Sequence, residues 1–384
     1  MENPSIANIL LSFLRLGFSA FGGTAIVFYI KELVVEKNKW LDAETFNDGV
    51  ALSQSLPGAT AVQVATYVGL KLQGIKGAGA ACLAFCFPAF LLMFLLSYAY
   101  IRFQNLPFVV SLFSGLNLIA VAIIANAVYG FGRETLKSRK DLLIALASLI
   151  FLYIGVSPFL VIFGAALLGI FIYKDILPHK NVGLIKNGVF HVKHTIILVL
   201  IFALFLFALY VFNDGLFELC GVLSKISLFS FGGGFAALPL MLHEIVQTRG
   251  WLDHKTFLDG ISLGQITPGP VIITATFIGY ILYGFLGATL GTFSIFAPSY
   301  ILLIATAPLS DRIKASLFYS RAANAVVITF VGLLAFVALK LSLSIHWGAT
   351  KGLFALLAFF LLLKRVDILY VVVGASIVSI FIFS

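Results

Sequence analysis

Charged residues are scarce in this chain of 384 residues, where they make up only 11% of the total. Apolar residues make up 61%, so the chain has too little polar surface to cover a water-soluble globule of this size. Runs of about 20 apolar residues, the length that crosses a bilayer, recur along the sequence. The composition therefore predicts an integral membrane protein whose main partner is the lipid bilayer.

The sequence also lacks the residue patterns of several common functions. Its three cysteines show no metal-ligand spacing with histidine or carboxylate partners, and Cys82 and Cys86 lie in one apolar run, which indicates a packing role. No nucleophile stands at a recognised spacing from a base, and no phosphate-binding loop is present. We expect no enzyme, no cofactor and no metal. The net charge of +9 does not indicate nucleic-acid binding, because the basic residues stand in short connections between apolar runs.

What the chain does contain is an internal duplication. Residues 40–58 and 251–269 align without a gap at an offset of 211, and eleven of the nineteen positions are identical. The same offset places residues 18–23 on residues 229–234, and both stretches begin with Phe-Ser and contain a glycine run. Transporters with repeated membrane folds usually hold their substrate between the repeats. We therefore predict a membrane repeat at residues 1–175, a linker with a connecting transmembrane helix at 176–213, and a second membrane repeat at 214–384.

The order of the apolar segments predicts how the two repeats are related. About thirteen segments follow one another as six, one and six, and six crossings return the chain to its starting side. The lone segment at 193–212 then starts the second repeat on the opposite face. The predicted fold is an all-α polytopic membrane protein of two inverted homologous halves with broken helices. The short segments at 141–155, 157–173, 349–363 and 366–383 could form re-entrant hairpins, which leaves this parity unchanged.

The basic residues between segments predict the orientation. Sixteen Lys and Arg fall on the side of the N-terminus and six on the other side, where Lys31, Lys37 and Lys39 are placed. By the positive-inside rule, the N-terminus lies in the cytoplasm and the C-terminus outside a cell (inner) membrane. This count assumes that segments 6–30 and 46–70 each cross once. The oligomeric state is left open, with a homodimer as one option.

Three cations fall inside apolar runs, where a charge costs about 2.5 to 3.5 kcal/mol. Arg15 and Lys225 occupy nearly equivalent places, four and five residues before the serines of the two Phe-Ser pairs. Either both side chains extend back to the headgroups, or the two cations, one from each half, face a shared anion. Arg321 has no counterpart in the first half, and packing or interface placement is the interpretation for it.

Glycine runs interrupt the first helix of each half near its middle. Gly22 and Gly23 follow Ser19 in the first half. Gly233 and Gly234 follow Ser230 in the second half. Such breaks are typical of close helix packing or of unwound segments whose N–H groups line a cavity. Because both halves carry the break, we expect these serines and glycines to contact the substrate.

A proline-glycine pair breaks the second segment of each half. Pro57 and Gly58, with Thr60 after them, correspond to Pro268 and Gly269, with Thr267 before them. Each pair predicts two half-helices, the later of which points its N-terminus and its free N–H groups into the protein. A compact oxyanion suits such an end. Three residues before the prolines stand Gln54 and Gln265, which either donate to the anion or bond across helices.

Carboxylates are mostly peripheral in this sequence. Asp48 and Asp259 match across the duplication near the starts of the second segments, where they either complement a helix dipole or relay protons. Glu218 and Glu244 are further relay candidates.

These motifs resemble those of the chromate ion transporter family in its long, two-domain form. The resemblance is carried by Phe-Gly-Gly in one half, Phe-Gly-Gly-Gly followed by Leu-Pro-Leu at 238–240 in the other, and Gln-x-x-Pro-Gly in both. It implies export of chromate from the cytoplasm, with sulfate as the anion of similar shape. The chain departs from the family pattern at Thr24 and Ala59, where the family often has proline.

Other function classes stay open on the sequence alone. An importer or exchanger of sulfate or another oxyanion would use the same cationic site. An intramembrane enzyme would need a catalytic group in the bilayer, and a purely structural membrane protein would leave the two matched proline breaks unexplained.

Overall fold

The computed structural model describes residues 4–21, 25–174 and 192–383, which are helical apart from short connections. The helices of the first half are α1 (Ile6–Ser19), α2 (Ala25–Lys31) with a π-helical extension (Glu32–Lys37), α3 (Ala43–Ser55), α4 (Thr60–Phe103), α5 (Pro107–Thr135), α6 (Arg139–Tyr153) and α7 (Pro158–Ile172). A connecting helix, α8 (Val192–Phe212), leads to the second half.

The second half repeats this order. It contains α9 (Asp214–Phe229), a 3-10 turn (Gly234–Ala236), α10 (Ala237–Met241) with a π-helical extension (Leu242–Thr248), α11 (His254–Ile266), a 3-10 turn (Val271–Ile273), α12 (Thr274–Thr306), a 3-10 turn (Ala307–Leu309), α13 (Ser310–Ala315), α14 (Leu317–Leu343), α15 (Ala349–Leu363) and α16 (Ile368–Ile382).

Matching helices of the two halves begin with matching N-caps. Asp42 accepts from the Thr45 N–H at 2.7 Å to start α3, and Asp253 accepts from the Thr256 N–H at 2.7 Å to start α11.

The surface of these helices fits a bilayer. Five helices within the described residues are long and apolar enough to cross one. The surface of α8 exposes large apolar side chains such as Leu200, Leu204 and Phe207. An apolar surface of this extent faces lipid and not water. The predicted all-α polytopic membrane protein is thereby confirmed.

The second apolar segment of the first half folds back on itself. A Cβ atom placed on Gly49 of α3 would lie 2.2 Å from the Tyr67 ring of α4, although Pro57 separates the two helices. Residues on either side of a break can meet in this way only if the helices run antiparallel. Residues 43–72 therefore form a re-entrant hairpin, called hairpin 2 below, whose tip holds Pro57 and Gly58.

Helix α4 consists of two arms joined by a sharp turn at Gln73 and Gly74. Gly74 has φ +60° and ψ −149°, and a Cβ on Gly69 would lie 2.2 Å from the Gly77 carbonyl oxygen, so the arms fold against each other. The second arm, residues 75–103, is about 43 Å long at 1.5 Å per residue and crosses the bilayer.

The first segment also returns to the face from which it starts. Gln73 donates to the Pro4 carbonyl at 2.9 Å, and a Cβ on Gly17 would lie 2.7 Å from the Phe85 carbonyl oxygen, so α1 runs parallel to the second arm of α4 and ends halfway. Hairpin 2 starts from the face that holds Pro4 and Gly74, called the first face below. Residues 25–37 must return to that face, and residues 6–37 form hairpin 1. The structure thus differs from the sequence count, in which segments 6–30 and 46–70 each crossed once.

The second half contains the same two hairpins and the same bent helix. A Cβ on Gly260 would lie 2.5 Å from the Phe277 ring, and a Cβ on Gly279 would lie 2.1 Å from the Gly287 carbonyl oxygen. Tyr283 and Gly284 form the turn inside α12. Residues 214–248 and 254–282 are called hairpins 3 and 4 below. Each of the four hairpins replaces one segment that the sequence scheme counted as a crossing. Each half therefore has two crossings fewer than predicted, and the number of crossings per half stays even.

The halves are inverted because their equivalent long arms run antiparallel. The Phe94 ring lies 5.4 Å from the Phe285 ring, and a Cβ on Gly79 would lie 3.6 Å from the Tyr300 hydroxyl, so the arm at 75–103 and the arm at 285–306 pack in opposite directions. Gly284 therefore lies at the face opposite Gly74, called the second face below. This is the arrangement that the parity of the segments predicts.

The last helices of each half pack on the other half. A Cβ on Gly115 of α5 would lie 2.2 Å from the Ser379 side chain of α16, and a Cβ on Gly169 of α7 would lie 2.4 Å from the Ala325 side chain of α14. These two contacts are equivalent under an offset of 210. The halves are consequently interlocked around one core.

Candidate functional site at the tips of the hairpins

The tips of all four hairpins meet in the middle of the bundle. The Gly269 N–H donates to the Ala20 carbonyl at 2.9 Å, and the Gly58 N–H donates to the Ser230 carbonyl at 2.8 Å. Pro57 and Phe231 also form an isolated antiparallel bridge. Each proline-glycine tip is thus bonded to the residue that ends the first helix of the other half. The candidate site lies at the repeat interface, as the duplication predicts.

These bonds correct the register of the duplication around the first tips. They pair Ala20 with Ser230, an offset of 210, whereas the sequence alignment paired Ser19 with Ser230 at an offset of 211. The same offset of 210 makes Arg15 and Lys225 equivalent positions. One additional residue within hairpin 3 restores the offset of 211, since the Trp40 N–H donates to the Val34 carbonyl and the Trp251 N–H donates to the Ile245 carbonyl.

Glycine is required after each proline. Gly58 has φ +114° and Gly269 has φ +99°, a backbone region that other residues rarely adopt. A Cβ on Gly58 would lie 2.1 Å from the Ser299 hydroxyl, and a Cβ on Gly269 would lie 3.0 Å from the Ala89 side chain. The residues before the prolines are extended, as proline demands. The proline-glycine pairs therefore end one half-helix and turn the chain into the next.

The starts of two helices lie beside the glycine run of the second half. A Cβ on Gly233 would lie 3.4 Å from the Thr60 hydroxyl at the start of α4. A Cβ on Gly234 would lie 3.3 Å from the Val271 nitrogen and 3.6 Å from the Ile272 nitrogen, at the turn that leads into α12. Both starts carry first-turn N–H groups without intrahelical partners and a partial positive charge. Backbone donors from both halves therefore converge on one place, which is a chemistry suited to an anion.

Sequence reasoning missed three polar side chains of this centre. The Ser299 hydroxyl accepts from the Ala59 N–H at 3.1 Å and lies 3.1 Å from the Ser227 hydroxyl. Gln63 donates to the Pro57 carbonyl at 2.7 Å. Ser299 follows Pro298 in the long arm of α12, and the only sequence signal for it is that proline inside an apolar run.

Two buried amides leave polar atoms without a protein partner. The Nε2 atom of Gln265 and the Oε1 atom of Gln63 are buried and form no hydrogen bond within the described residues. Gln265 is 9% exposed and Gln63 is fully buried. An unsatisfied buried polar group costs about 1 to 3 kcal/mol, so a ligand or water that completes these bonds would be stabilised. Gln54, the counterpart of Gln265, is exposed.

The predicted serine and threonine donors are turned toward their own helices. Ser19 donates to the Arg15 carbonyl at 3.2 Å, and Ser230 donates to the Ile226 carbonyl at 2.6 Å. Thr267 donates to the Gly264 carbonyl at 3.1 Å. Their oxygen lone pairs can accept, but each hydroxyl would have to rotate to donate to an anion. In this arrangement the backbone N–H groups are the available donors.

The two predicted cations have different surroundings. Lys225 lies 2.8 Å from the Glu244 carboxylate and 3.9 Å from the centre of the Phe159 ring. Glu244 also contacts Arg249, which lies 2.8 Å from Glu218. This cluster of two bases and two acids is neutral, so Lys225 does not supply an uncompensated charge.

Arg15, in contrast, is exposed on α1 on the same helical face as Ser19. None of the ion pairs among the described residues includes Arg15. Of the matched pair, Arg15 is therefore the cation whose charge no acid compensates among the ion pairs of the described residues.

The predicted site residues thus fall into three groups. The structure brings together Pro57, Gly58, Thr60, Ser230, Gly233, Gly234, Pro268 and Gly269, with Gln265 and Thr267 on the adjoining end of α11. Arg15, Ser19 and Gln54 lie on exposed surface, and Lys225 is held in its ion pair. Gly22 and Gly23 lie outside the described residues. Arg321 donates to the Lys174 carbonyl at 2.8 Å, which supports its interpretation as a packing residue.

Comparison with known proteins agrees with this duplicated plan. The family model described as chromate transporter matches residues 7–170 and again residues 217–380. An uncharacterized transporter of Methanocaldococcus jannaschii is 40% identical over 382 residues, which cover 97% of this chain and 93% of that protein. A chromate transport protein of Cupriavidus metallidurans is 30% identical over 312 residues, 79% of this chain and 74% of that protein. A probable chromate transport protein of Synechococcus elongatus is 29% identical over 388 residues, 99% of this chain and 96% of that protein. No solved structure gives a significant match.

Proposed function

Because the chain belongs to the chromate transporter family, we propose that it exports a tetrahedral oxyanion, with chromate as the first candidate, from the cytoplasm across the cell membrane. It acts as a carrier and not as an enzyme. The relatives named as chromate transport proteins support the choice of anion. The observation that carries the proposal is the convergence of two helix N-termini on Gly233 and Gly234 at the repeat interface.

The first step of transport is attraction of the anion. Arg15 supplies a guanidinium, whose planar fork matches two oxygens of an oxyanion. At the tips, the first-turn N–H groups of α4 and of the turn at 271–273 replace part of the hydration shell. The amide of Gln265 supplies one further donor, which has no partner without the anion. These donors recognise charge and tetrahedral shape, so sulfate and chromate are expected to compete.

The membrane potential sets the direction. A dianion that leaves a cell held negative inside by about 100 mV gains about 4.6 kcal/mol, since each charge is worth about 2.3 kcal/mol. Export by uniport or by exchange against another anion can therefore run on the potential. An importer or exchanger of sulfate is the alternative that uses the same donors, and it is an outcome of the test below.

The test is flux of labelled chromate and labelled sulfate in proteoliposomes at a set membrane potential. Gly269→Leu should abolish flux, because the new side chain fills the tip next to Ala89. Gly352→Leu is the matched control, because a Cβ there meets no atom within 4 Å. A protein that carries sulfate but not chromate would redirect the proposal to sulfate. Absence of flux of both anions in the wild type would overturn it.

A further inference from the structure

A carboxylate outside the candidate site is buried between the two halves. Asp259 of α11 is 2% exposed. Its Oδ2 accepts from the Tyr100 hydroxyl at 2.8 Å, and its Oδ1 accepts from the Asn117 amide at 2.7 Å. The Ser262 hydroxyl in turn donates to Asn117 Oδ1 at 2.8 Å. Tyr100 and Asn117 belong to the first half and Asp259 to the second, so the bonds cross the repeat interface.

Asp259 differs from the other buried acids of the described residues in having no cationic or backbone partner. Glu244 is paired with Lys225 and Arg249. Asp141 accepts from the backbone N–H groups of Lys137 and Ser138 in a helix cap. Both hydrogen bonds to Asp259 come from neutral side chains. Burial disfavours a charged carboxylate and hydrogen bonds favour it, so a group held in this way is suited to exchange a proton.

A chain of hydroxyl groups leads from Asp259 toward the second face. The Thr256 hydroxyl lies near the Tyr100 hydroxyl, and Thr256 is partly exposed in the first turn of α11. The charged groups that act on Asp259 are Lys255 and Asp253, which are of opposite sign and lie at the same end of the helix. Of the elements packed on α11, helices α12 and α16 carry no charged side chain, and Glu244 of the π-helical segment is already paired.

The duplication shows that this arrangement is specific to one half. Asp48 is the counterpart of Asp259, but Ser310 and Val327 of the second half stand at the positions equivalent to Tyr100 and Asn117. Asp48 is only half-buried. Because Val327 has no polar side chain, the amide donor that Asn117 supplies to Asp259 has no equivalent for Asp48.

Given the transport proposed above, we propose that Asp259 is a proton-binding site that couples the position of hairpin 4 to a proton. Hairpin 4 carries Asp259 on its first helix and Gly269 at its tip, so the bonds to Tyr100 and Asn117 hold the tip against the first half. The ligand is a proton and not a sodium ion. Both carboxylate oxygens accept hydrogen bonds from side-chain donors, which leaves neither oxygen turned toward a cation.

The proton transfer is balanced within the hydroxyl chain. The Tyr100 O–H bond breaks as its proton forms an O–H bond on Asp259 Oδ2, and Tyr100 takes a replacement proton from water that enters beside Thr256, so the carboxyl group becomes neutral. Its O–H then donates to the Tyr100 oxygen, and the Tyr100 O–H turns to donate to Thr256. Release breaks the same O–H bond and returns the proton along the same chain. Loss of the carboxylate charge weakens the bond from Asn117, which loosens hairpin 4.

The experiment compares anion flux driven by a pH gradient with anion exchange at equal pH, in proteoliposomes of the full chain loaded with chromate or sulfate. In the wild type, a pH gradient of one unit should change the flux by at least about threefold, since one proton per cycle is worth tenfold at equilibrium. Asp259→Asn should keep exchange at equal pH and lose the response to the gradient. Asp48→Asn is the matched control and should keep both.

The outcomes separate this inference from the proposed function. A wild type without anion flux refutes the proposed function itself. A wild type that carries the anion without response to the pH gradient, or Asp259→Asn with the full response, overturns the inference alone. If the Asp259→Asn protein fails to insert into the membrane or to exchange anions, the variant Tyr100→Phe tests the inference instead. It removes one donor and the hydroxyl relay, so the midpoint of the pH profile of exchange should shift, and an unshifted profile overturns the inference.

Discussion

At the scale of single residues, the repeats differ most where they face each other. Gly58 approaches the Ser299 hydroxyl, whereas its counterpart Gly269 approaches the methyl group of Ala89. Ser299 and Ala89 are themselves equivalent positions of the two long arms. The first-half tip is therefore closed by a hydrogen-bonding side chain, and the second-half tip has more space.

This difference predicts unequal effects of one substitution. Gly58→Ala should lose most transport and lower the thermal stability by about 1 to 3 kcal/mol, because a methyl group meets Ser299 at a positive φ. Gly269→Ala should retain more flux. Adding Ser299→Ala to Gly58→Ala should recover part of the stability, because it removes the closest atom. Equal melting temperatures and equal flux in Gly58→Ala and Gly269→Ala would contradict the role given to Ser299.

The two cations should also respond differently. Arg15→Gln should weaken anion binding about ten- to a hundredfold, since a charged hydrogen bond is worth about 1.5 to 3 kcal/mol, and Arg15→Lys should recover only part of it. Lys225→Gln should instead lower the melting temperature, because Glu244 loses one of its two partners. Anion affinity comes from the concentration dependence of flux. Unchanged affinity in both Arg15 variants, with normal insertion, would indicate that Arg15 only reaches the headgroups and would leave the site to the hairpin tips.

At the scale of elements, the sequence predicts the breaks but not the direction of the chain after them. Pro57 and Pro268 indicate half-helices, and the structure contains them. Whether the second half-helix continues or turns back depends on contacts such as Gly49 against Tyr67, which no periodicity reveals. Ser299 was missed because it meets Ala59 across 240 residues of sequence. The ion pair of Lys225 could not be predicted because its partner Glu244 lies on the other arm of hairpin 3.

The cap of α3 predicts a pH dependence of hairpin 2. The backbone hydrogen bond from Thr45 holds the pKa of Asp42 below its ordinary value. At pH values above the ordinary pKa of aspartate, near 4, the cap therefore contributes its full stability. This contribution is lost as the pH falls through the lowered pKa of Asp42. The hydrogen-exchange protection factors of the first turn of α3, which correct for the intrinsic rate at each pH, should fall below pH 4 in the wild type. Asp42→Ala should exchange faster at neutral pH by about fivefold, the effect of a cap worth about 1 kcal/mol. A wild type and variant that exchange alike at neutral pH would refute the role of the cap.

At the scale of the whole molecule, the four hairpins change which connections share a face. Because hairpin 1 returns to the first face, Lys31, Lys37 and Lys39 move to that face, while Arg249 and Lys255 move to the second. Among the described residues, fifteen Lys and Arg then lie at the first face and five at the second, where the sequence scheme places fourteen and six of the same residues. The stronger bias supports the proposal that the first face, with the N-terminus, is cytoplasmic.

Cysteine labelling from outside distinguishes the two schemes. The native Cys82, Cys86 and Cys220 are buried and should give no background. Single cysteines at the two ends, Glu2→Cys and Ser384→Cys, should label from opposite sides. Lys39→Cys should react from the same side as Glu2→Cys, and Lys255→Cys from the same side as Ser384→Cys. A single crossing of residues 6–30 requires the reverse for Lys39→Cys, and a single crossing of residues 216–242 requires the reverse for Lys255→Cys.

Controls for this labelling are two positions on which the schemes agree. Lys76→Cys should be protected together with Glu2→Cys, and Arg102→Cys should be labelled together with Ser384→Cys. Labelling of Lys39→Cys from outside, with Lys76→Cys protected, would mean that the first segment crosses the bilayer. Hairpin 1 could not then return to the first face, and its tip could not meet hairpin 4 as a re-entrant element. Both ends on one side would remove the inverted relation itself, and with it the convergence of two helix N-termini that gives the anion its place between the halves.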